Sequence, residues 1–536
     1  MSKSNQLNPD DYLLSLFSKH NRIYLGDELK EKLVGNLGKT PAAARKIIER
    51  FAGKGLVKSS SPVSFGRGTF AYFALNKVVT FEDLLGITRT RRQQLFRLLS
   101  AIKACGGILS YYEALKISAA PLLPSKTKTI GLDQLLKELQ FFEVISISAD
   151  QHEVKYLIAN YVEPARIPAL KARHYSLMLV DTCLLYDVLI SLSKLNLLDN
   201  KYIRYRHRKT PSLGQPHNNF VWDGFSYTRT TGINTRYGKN KEASVKQALV
   251  VVDMVISRRY ETFDYEGFLE RVRVLQNNTK TERKIIPVLV YSEISTHALN
   301  EARAFGMLTY SVAAFFGERI YEIISDITQI KLSENNALTA PADPVQLMAD
   351  ALEVIDGTGN LINLQNLTGD FFQSLMYQLF HHLYPNSSIE QGKTLPAMDD
   401  TIGRKKRYEY DFVIHSARTK EILAVELKGT MTNTTIGLGN FEKKNTLKWF
   451  FERTFPSFGK HFQTPPYHDT KIRAIFITSG KYEPEGKTYL EALNKGKIRP
   501  NDLNVGYDGK QLIALVRYQS LELLAETLNK YFVVLS

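Results

Sequence analysis

The sequence predicts a multidomain protein that combines α/β and α+β domains. At about 150 residues per domain, a chain of 536 residues has room for roughly three to four of them. Helical patterns followed by hairpin patterns occur twice before residue 165, and apolar strand runs alternate with helices after residue 170. A polar stretch of small residues, Ser333 to Pro344, is typical of a linker.

Composition limits the classes of protein to consider. Hydrophobic residues make up 44% and charged residues 23% of the chain, which is typical of a globular protein. The net charge of +16 indicates a polyanionic partner, with nucleic acid first and a membrane surface second. Solubility alone would not explain the positive sign.

The cysteines and the N-terminus indicate a cytoplasmic location. Cys105 and Cys183 both stand in apolar helical contexts, which fits a reducing compartment and supplies neither a disulfide framework nor a thiolate zinc site. The polar start, Met1 to Gln6, lacks the apolar core of a signal peptide. No run of about 18 apolar residues was identified, so we expect no membrane span.

Residues 1–80 are expected to form three helices and a hairpin. Thr40 and Pro41 have the residue types of an N-cap and a first helical position, and this third helix should end at Gly53. The order resembles a winged helix-turn-helix domain, which implies a helix in the DNA major groove and a wing on the backbone. The DNA-binding residues implied by the resemblance are Arg45, Lys46, Arg50 and Arg67. A winged helix used only for protein contact remains the alternative.

Residues 81–165 repeat the pattern with a less basic third helix, Leu132 to Leu139, so this second winged-helix-like domain is expected to serve in packing. Residues 170–335 then read as an α/β domain. A long apolar helix, Leu177 to Leu195, precedes a loop dense in cations and aromatics, Lys201 to Lys209. Buried-strand runs alternating with helices predict a parallel or mixed sheet.

Residues 361–536, after a linker at 336–360, hold the strongest chemical pattern. Tyr408 to Ile414 and Glu421 to Gly429 read as the strands of a β-hairpin. Glu426 and Lys428 are two apart and share a face, and Asp411 on the neighbouring strand can reach it. Two carboxylates suit a hard cation such as Mg²⁺ or Mn²⁺, and the lysine can orient an attacking water.

This Asp…Glu-x-Lys pattern resembles the PD-(D/E)xK, or restriction-endonuclease-like, nuclease superfamily. The resemblance implies a mixed-sheet fold with Asp411 and Glu426 as metal ligands and Lys428 as a catalytic residue. The family's helix often carries Gly-x-x-Phe-Glu. Here Gly369 and Phe372 are present, but Gln373 replaces the acid and could only orient water or the metal shell. An exposed hairpin with an ordinary Glu and Lys is the alternative.

The middle domain shows the same order of features as the C-terminal domain. Asp223 corresponds to Asp411 and Asp253 to Glu426, whereas Val255 stands where Lys428 would be. We therefore interpret residues 170–335 as a degenerate nuclease-like copy without its lysine, with an unrelated α/β domain as the alternative. DNA-backbone contacts are expected from the cations near both acid pairs, namely Arg204, Arg206, Arg208, Lys405, Arg407, Lys443 and Lys444.

These patterns together predict a Mg²⁺-dependent DNA endonuclease with double-stranded DNA as its partner, acting as a homodimer or with an accessory subunit. Restriction, phage defence or a mobile element is the setting that fold-level analogy favours. Gly486-Lys487-Thr488 lacks the upstream glycine of a phosphate-binding loop because Lys481 stands there, so no nucleotide cofactor is expected. The alternative function is a non-catalytic DNA-binding, assembly or specificity subunit that uses nuclease folds as scaffold.

Overall fold

The computed structural model describes residues 8–19, 22–66, 68–123, 130–228, 247–277, 284–335, 344–357, 365–399, 404–429, 434–462 and 469–533. The protein is mixed α/β, with helices around several sheets. The chain divides into two compact units. The first comprises Met1–Met178 and Ser193–Ser311, and the second comprises Leu179–Leu192 and Val312–Ser536.

The first unit begins with a small three-stranded antiparallel sheet, in the order β1-β3-β2, against three helices. The third helix begins as predicted, because the Thr40 side chain accepts a hydrogen bond from the Ala43 amide and Pro41 follows the cap. The elements are α1 (Pro9–Lys19), β1 (Tyr24–Leu25), α2 (Gly26–Leu37), α3 (Pro41–Gly53), β2 (Lys58–Ser59) and β3 (Ala71–Phe73).

A second segment repeats this arrangement, with its sheet in the order β4-β6-β5. Its first helix starts with a capping box between Thr80 and Asp83, and a second helix begins at Gln93. The elements are α4 (Phe81–Thr88), α5 (Gln93–Ala104), β4 (Ile108–Ser110), α6 (Tyr111–Ser118), α7 (Leu132–Phe141), β5 (Ile145–Ala149) and β6 (Lys155–Ala159).

The long apolar helix expected from Leu177 is interrupted at Leu184 and forms α8 (Ile167–Cys183) and α9 (Leu185–Lys194). Within the described ranges, Pro164–Lys194 is long and apolar enough to cross a membrane by length and composition. That finding corrects the expectation that no such stretch exists. Because 78% of its apolar window is buried inside the protein, the stretch has the environment of a core helix.

The middle of the first unit holds a five-stranded mixed sheet in the order β7-β10-β11-β12-β13. The first two pairings are antiparallel and the last two are parallel. Trp222 and Phe268 are fully buried in its core. The elements are β7 (Arg204–Tyr205), β8 (Gln215–His217), β9 (Phe220–Trp222), β10 (Gly224–Tyr227), β11 (Leu249–Val255), α10 (Thr262–Gln276), β12 (Ile285–Tyr291), α11 (Thr296–Phe305) and β13 (Leu308–Ser311).

The second unit is built on another five-stranded mixed sheet, in the order β14-β15-β16-β18-β20, again with two antiparallel and then two parallel pairings. Its elements are α12 (Ala313–Phe316), α13 (Ile320–Asn335), α14 (Pro344–Gly357), α15 (Gln365–Leu383), β14 (Ser388–Asp399), β15 (Arg404–Ser416), β16 (Glu421–Lys428), β17 (Thr435–Ile436), a π-helix (Trp449–Thr454), α16 (Phe455–Phe462), β18 (Lys471–Thr478), β19 (Lys481–Tyr482), α17 (Pro484–Asn494), β20 (Gly506–Tyr507), α18 (Gly509–Tyr518) and α19 (Glu522–Tyr531).

One strand of this unit is longer than expected. The strand predicted from Tyr408 begins at Arg404 as β15, because residues 404–407 pair with β14, an edge strand that the sequence pattern missed. The lysine-rich segment after β17 begins as a turn. The Asn440 side chain accepts hydrogen bonds from the Glu442 and Lys443 amides, which forms a turn there, and helix begins at residue 447.

The segment expected to be a linker is only partly described. Its residues 344–357 form α14, in which Met348, Ala351 and Leu352 are fully buried. This helix packs against α13, α15 and α19. Residues 344–357 therefore belong to the fold of the second unit, and the remainder of the expected linker lies outside the described residues.

Candidate functional site

The hairpin of β15 and β16 brings the candidate catalytic residues together. Phe412 pairs with Val425 in its antiparallel register, and the same register continued by one residue places Asp411 opposite Glu426. The Leu427 amide donates a hydrogen bond to Asp411 Oδ2 over 2.7 Å. This bond fixes the Asp411 carboxylate against the second strand, so its position follows from the sheet itself.

Lys428 lies beside the acid pair. Its Nζ is 2.6 Å from Glu426 Oε1, since residues two apart on a strand share a face. The side chains of Glu426 and Lys428 are 17% and 24% exposed, which leaves them open to solvent at one end of an otherwise buried strand. The two carboxylates can hold a cation here, and the ammonium can donate a hydrogen bond to a water or phosphate oxygen.

Two further contacts shape the surroundings of this site. Gly429, directly after β16, lies against α15, and a Cβ built there would be 2.2 Å from Phe372 Cγ. The half-buried Gln373 follows Phe372 in that helix. On β15, the Tyr410 hydroxyl donates to the Thr454 carbonyl oxygen. Burial, and secondarily the charge of Glu426, raises the pKa of Tyr410.

The donor set fits a hard divalent cation. Carboxylate oxygens are the ligands that Mg²⁺ prefers, and one or two protein carboxylates with several waters are its usual complement. Among the residues that the structure describes, no group of three or more His, Cys, Asp or Glu side chains is placed to hold a metal. The protein thus offers two carboxylates, Asp411 and Glu426, and water would complete the coordination.

The cations expected to contact DNA are spread over both units. Arg45, Lys46 and Arg50 lie exposed on α3, where Arg50 also lies 3.4 Å from Asp10. Arg67 lies outside the described residues. Among the others, Arg204, Arg407, Lys443 and Lys444 are exposed, Arg208 is half-buried, and Lys405 lies in β15 with only its backbone described.

Arg206 corrects the sequence expectation. It is 2% exposed, its Nε lies 3.0 Å from Asp223 Oδ1, and its guanidinium stands over the Tyr112 ring. Because a side chain so deeply buried cannot reach a DNA phosphate, the predicted DNA contact of Arg206 is wrong. Its charge instead balances a buried carboxylate.

The middle sheet carries a comparable acid pair in a very different environment. Asp223 lies opposite Asp253 in the register of β10 and β11, continued by one residue, and the Met254 amide donates to Asp223 Oδ2 over 2.9 Å. Both carboxylates are buried, and Lys116 from α6 contacts both. The sequence pattern missed Lys116, because a single lysine in an apolar helix gives no signal of what it contacts.

Comparison with known proteins adds little to this geometry. No protein-family model and no curated protein matches the sequence. Among solved structures, the EndoMS-dsDNA2 complex shares 10% sequence identity and a TM-score of 0.16 over 30% of this chain and 52% of its own. The match spans about half the length of that protein, and a likeness this slight defines neither fold nor activity.

Proposed function

We propose that this protein is a metal-dependent DNA endonuclease that hydrolyses phosphodiester bonds at Asp411, Glu426 and Lys428. The observation that carries the proposal is the placement of Asp411 opposite Glu426 with the Lys428 ammonium 2.6 Å from the Glu426 carboxylate. The repeated helix-and-hairpin order of the first unit resembles that of a winged helix-turn-helix, and the net charge of +16 supports a polyanionic substrate.

Each residue has a definite role in this proposal. Asp411 and Glu426 would hold Mg²⁺ or Mn²⁺, which when bound supplies a Lewis acid for a phosphoryl oxygen and lowers the pKa of a bound water. Lys428 would hydrogen-bond the attacking water and offset the negative charge that develops on the phosphate. Gln373, on the helix that contacts Gly429, would orient water through its amide.

DNA would be held by the exposed cations. The helix α3 presents Arg45 and Lys46 on its exposed surface, and we place this helix in the major groove. Arg50 would leave its ion pair with Asp10 and contact a DNA phosphate instead. In the second unit, Arg407, Lys443 and Lys444 are exposed on the candidate nuclease domain and would contact the backbone. Restriction, phage defence or a mobile element is the biological setting that analogy favours.

The proposal is tested by cleavage of supercoiled plasmid with Mg²⁺, Mn²⁺ or EDTA. Glu426→Gln and Lys428→Ala should each lower the cleavage rate by about 10² or more, because each removes a group that acts on the reacting phosphate. Lys471→Ala is the matched control, since Lys471 is an exposed lysine on β18 of the same sheet. Cleavage by Lys428→Ala at the parent rate would show that the assignment is wrong.

The alternative is a non-catalytic DNA-binding, assembly or specificity subunit. The buried acid pair of the middle sheet favours that role for the first unit, because such a site is closed to DNA. Duplex binding by the parent without cleavage in either metal would support this alternative for the whole protein.

A further inference from the structure

The two five-stranded sheets of this protein have the same construction. Each places two antiparallel pairings before two parallel ones. In the middle sheet Asp253 lies opposite Asp223, and in the second unit Glu426 lies opposite Asp411. The backbone amide that follows Asp253, that of Met254, donates to Asp223 Oδ2 over 2.9 Å. The amide that follows Glu426, that of Leu427, donates to Asp411 Oδ2 over 2.7 Å. The acid pairs Asp223–Asp253 and Asp411–Glu426 thus occupy equivalent positions.

The charges around the two pairs differ. Val255 occupies the position equivalent to Lys428, and it is buried. A lysine of another element, Lys116 of α6, instead places its Nζ in contact with Asp223 and 3.2 Å from Asp253 Oδ1. The Lys116 ammonium thus bridges the two carboxylates. It lies at the position where the equivalent pair, Asp411 and Glu426, would hold a metal cation.

Guanidinium groups complete this buried cluster. Arg206 Nε lies 3.0 Å from Asp223 Oδ1, and Arg271 Nη2 lies 2.8 Å from Asp253 Oδ1. The hydroxyls of Tyr112 and Tyr260 donate to Asp223 and Asp253 over 2.6 and 3.0 Å. The two carboxylates therefore face three positive charges and two hydroxyl donors from the protein itself.

Burial excludes substrate from this cluster. The side chains of Asp223, Asp253 and Lys116 are 0%, 1% and 7% exposed, compared with 17% for Glu426 and 24% for Lys428. Helix α6 also packs closely against α10, because a Cβ on Gly267 of α10 would lie 2.6 Å from the Ile117 carbonyl oxygen of α6. A phosphodiester could not reach the acids without displacing α6.

We infer that the Lys116 ammonium takes the place of a divalent cation between Asp223 and Asp253, which makes the middle sheet a silenced copy that anchors α6. Lysine and arginine supply the positive charge that two buried carboxylates require. The lower pKa of Asp223, about 2, agrees with this pairing, since Lys116 and Arg206 outweigh the burial that would raise it. The comparison with a cation site rests on the proposed function of Asp411 and Glu426.

Metal binding separates this inference from the proposed function. Titration with Mn²⁺, followed by electron paramagnetic resonance, should show one site in the parent and none in Glu426→Gln, because the Asp223–Asp253 pair is already neutralised. A parent without any site would contradict the proposed function alone. A site that persists in Glu426→Gln and disappears when Asp253→Asn is added would overturn the inference and indicate an active centre whose lysine comes from α6.

Stability gives a second and independent measurement. Lys116→Met keeps the length of the side chain but removes the ammonium that contacts both buried carboxylates, so its melting temperature should fall by more than about 5 °C. Lys103→Met is the matched control, because Lys103 on α5 is 53% exposed and pairs with Glu82 at the surface. The melting temperature of the Lys103→Met control should change by less than about 1 °C.

A compensating variant keeps the test decisive if Lys116→Met does not fold. Lys116→Met with Asp223→Asn removes one charge of each sign, and it should recover at least half of the lost melting temperature or restore soluble expression. Lys116→Met as stable as the parent, or a double variant no more stable than Lys116→Met alone, would overturn the inference.

Discussion

At the scale of single residues, the candidate site depends on a glycine that carries no chemistry. Gly429 follows Lys428 directly, and Phe372 of α15 fills the space where a side chain would be. A built Cβ would lie 2.2 Å from Phe372 Cγ and 2.4 Å from Phe372 Cβ, so the obstacle is the stem of the ring and not a flexible end. Helix and strand can approach this closely only with glycine at this position.

Gly429→Ala should therefore destabilise the second unit by about 1–3 kcal/mol, because overpacking displaces α15 from the end of β16. Urea unfolding followed by circular dichroism measures this change. Gly459→Ala is the control, since Gly459 lies in α16 and a Cβ there meets nothing within 4 Å. Equal stability of Gly429→Ala and the parent would contradict the contact with Phe372.

At the scale of elements, α13 and α14 bring the carboxyl groups of Asp326, Glu322 and Asp350 near one another. Burial of Asp326, followed by the charges of Asp350 and Glu322, raises the pKa of Asp326 from 3.8 to about 6. A carboxyl group whose folded pKa is raised favours the folded state below pH 3.8, and this contribution is lost as the pH rises through about 6. At neutral pH the charge of Asp326 thus opposes the packing of the two helices.

Asp326→Asn should raise the melting temperature at pH 7.5 by roughly 1–3 °C, and the difference should vanish near pH 4, where Asp326 is protonated. Differential scanning calorimetry at the two pH values measures both effects. Glu491→Gln, an exposed acid on α17, is the control and should change the melting temperature by less than about 1 °C. The same gain at both pH values would show that charge is not the cause.

At the scale of the whole molecule, the net charge of +16 predicts salt-dependent binding to DNA. Each phosphate contact contributes about −0.9 to the slope of log K against log salt concentration. Only those cations that touch phosphate contribute to the slope, so its change on mutation separates contacts from general charge.

The variant Arg45→Ala with Lys46→Ala should reduce the magnitude of this slope by nearly two, because both residues lie exposed on α3. Fluorescence anisotropy of a labelled duplex at several salt concentrations gives the slope. Lys103→Ala, which removes a surface charge from α5, should leave the slope unchanged. An unchanged slope in the α3 variant would favour a protein-binding role for this segment.

Local patterns determined much of this protein. The β15–β16 hairpin and the start of α3 at Thr40 and Pro41 were predicted because strand alternation and helix caps are encoded within a few residues. For the middle sheet the pattern left parallel and mixed pairing open, and the sheet is mixed. The position of Glu426 beside Lys428 follows from the same two-residue period. By contrast, β14 was missed, since Gly392 weakens a strand pattern and Pro396 is tolerated in a strand mainly at an edge.

Only the tertiary structure decided what the middle acid pair contacts. Asp223, Asp253 and Arg206 suggested a degenerate site with a cationic DNA-binding loop, but Lys116, more than one hundred residues before Asp223, completes the cluster. Sequence spacing cannot show such a partner, because burial and charge pairing depend on how separate elements pack. The sequence by itself determined the acid positions and the elements that carry them, whereas packing decided which acid pair is partly open to solvent, through Glu426, and which is fully buried and neutralised.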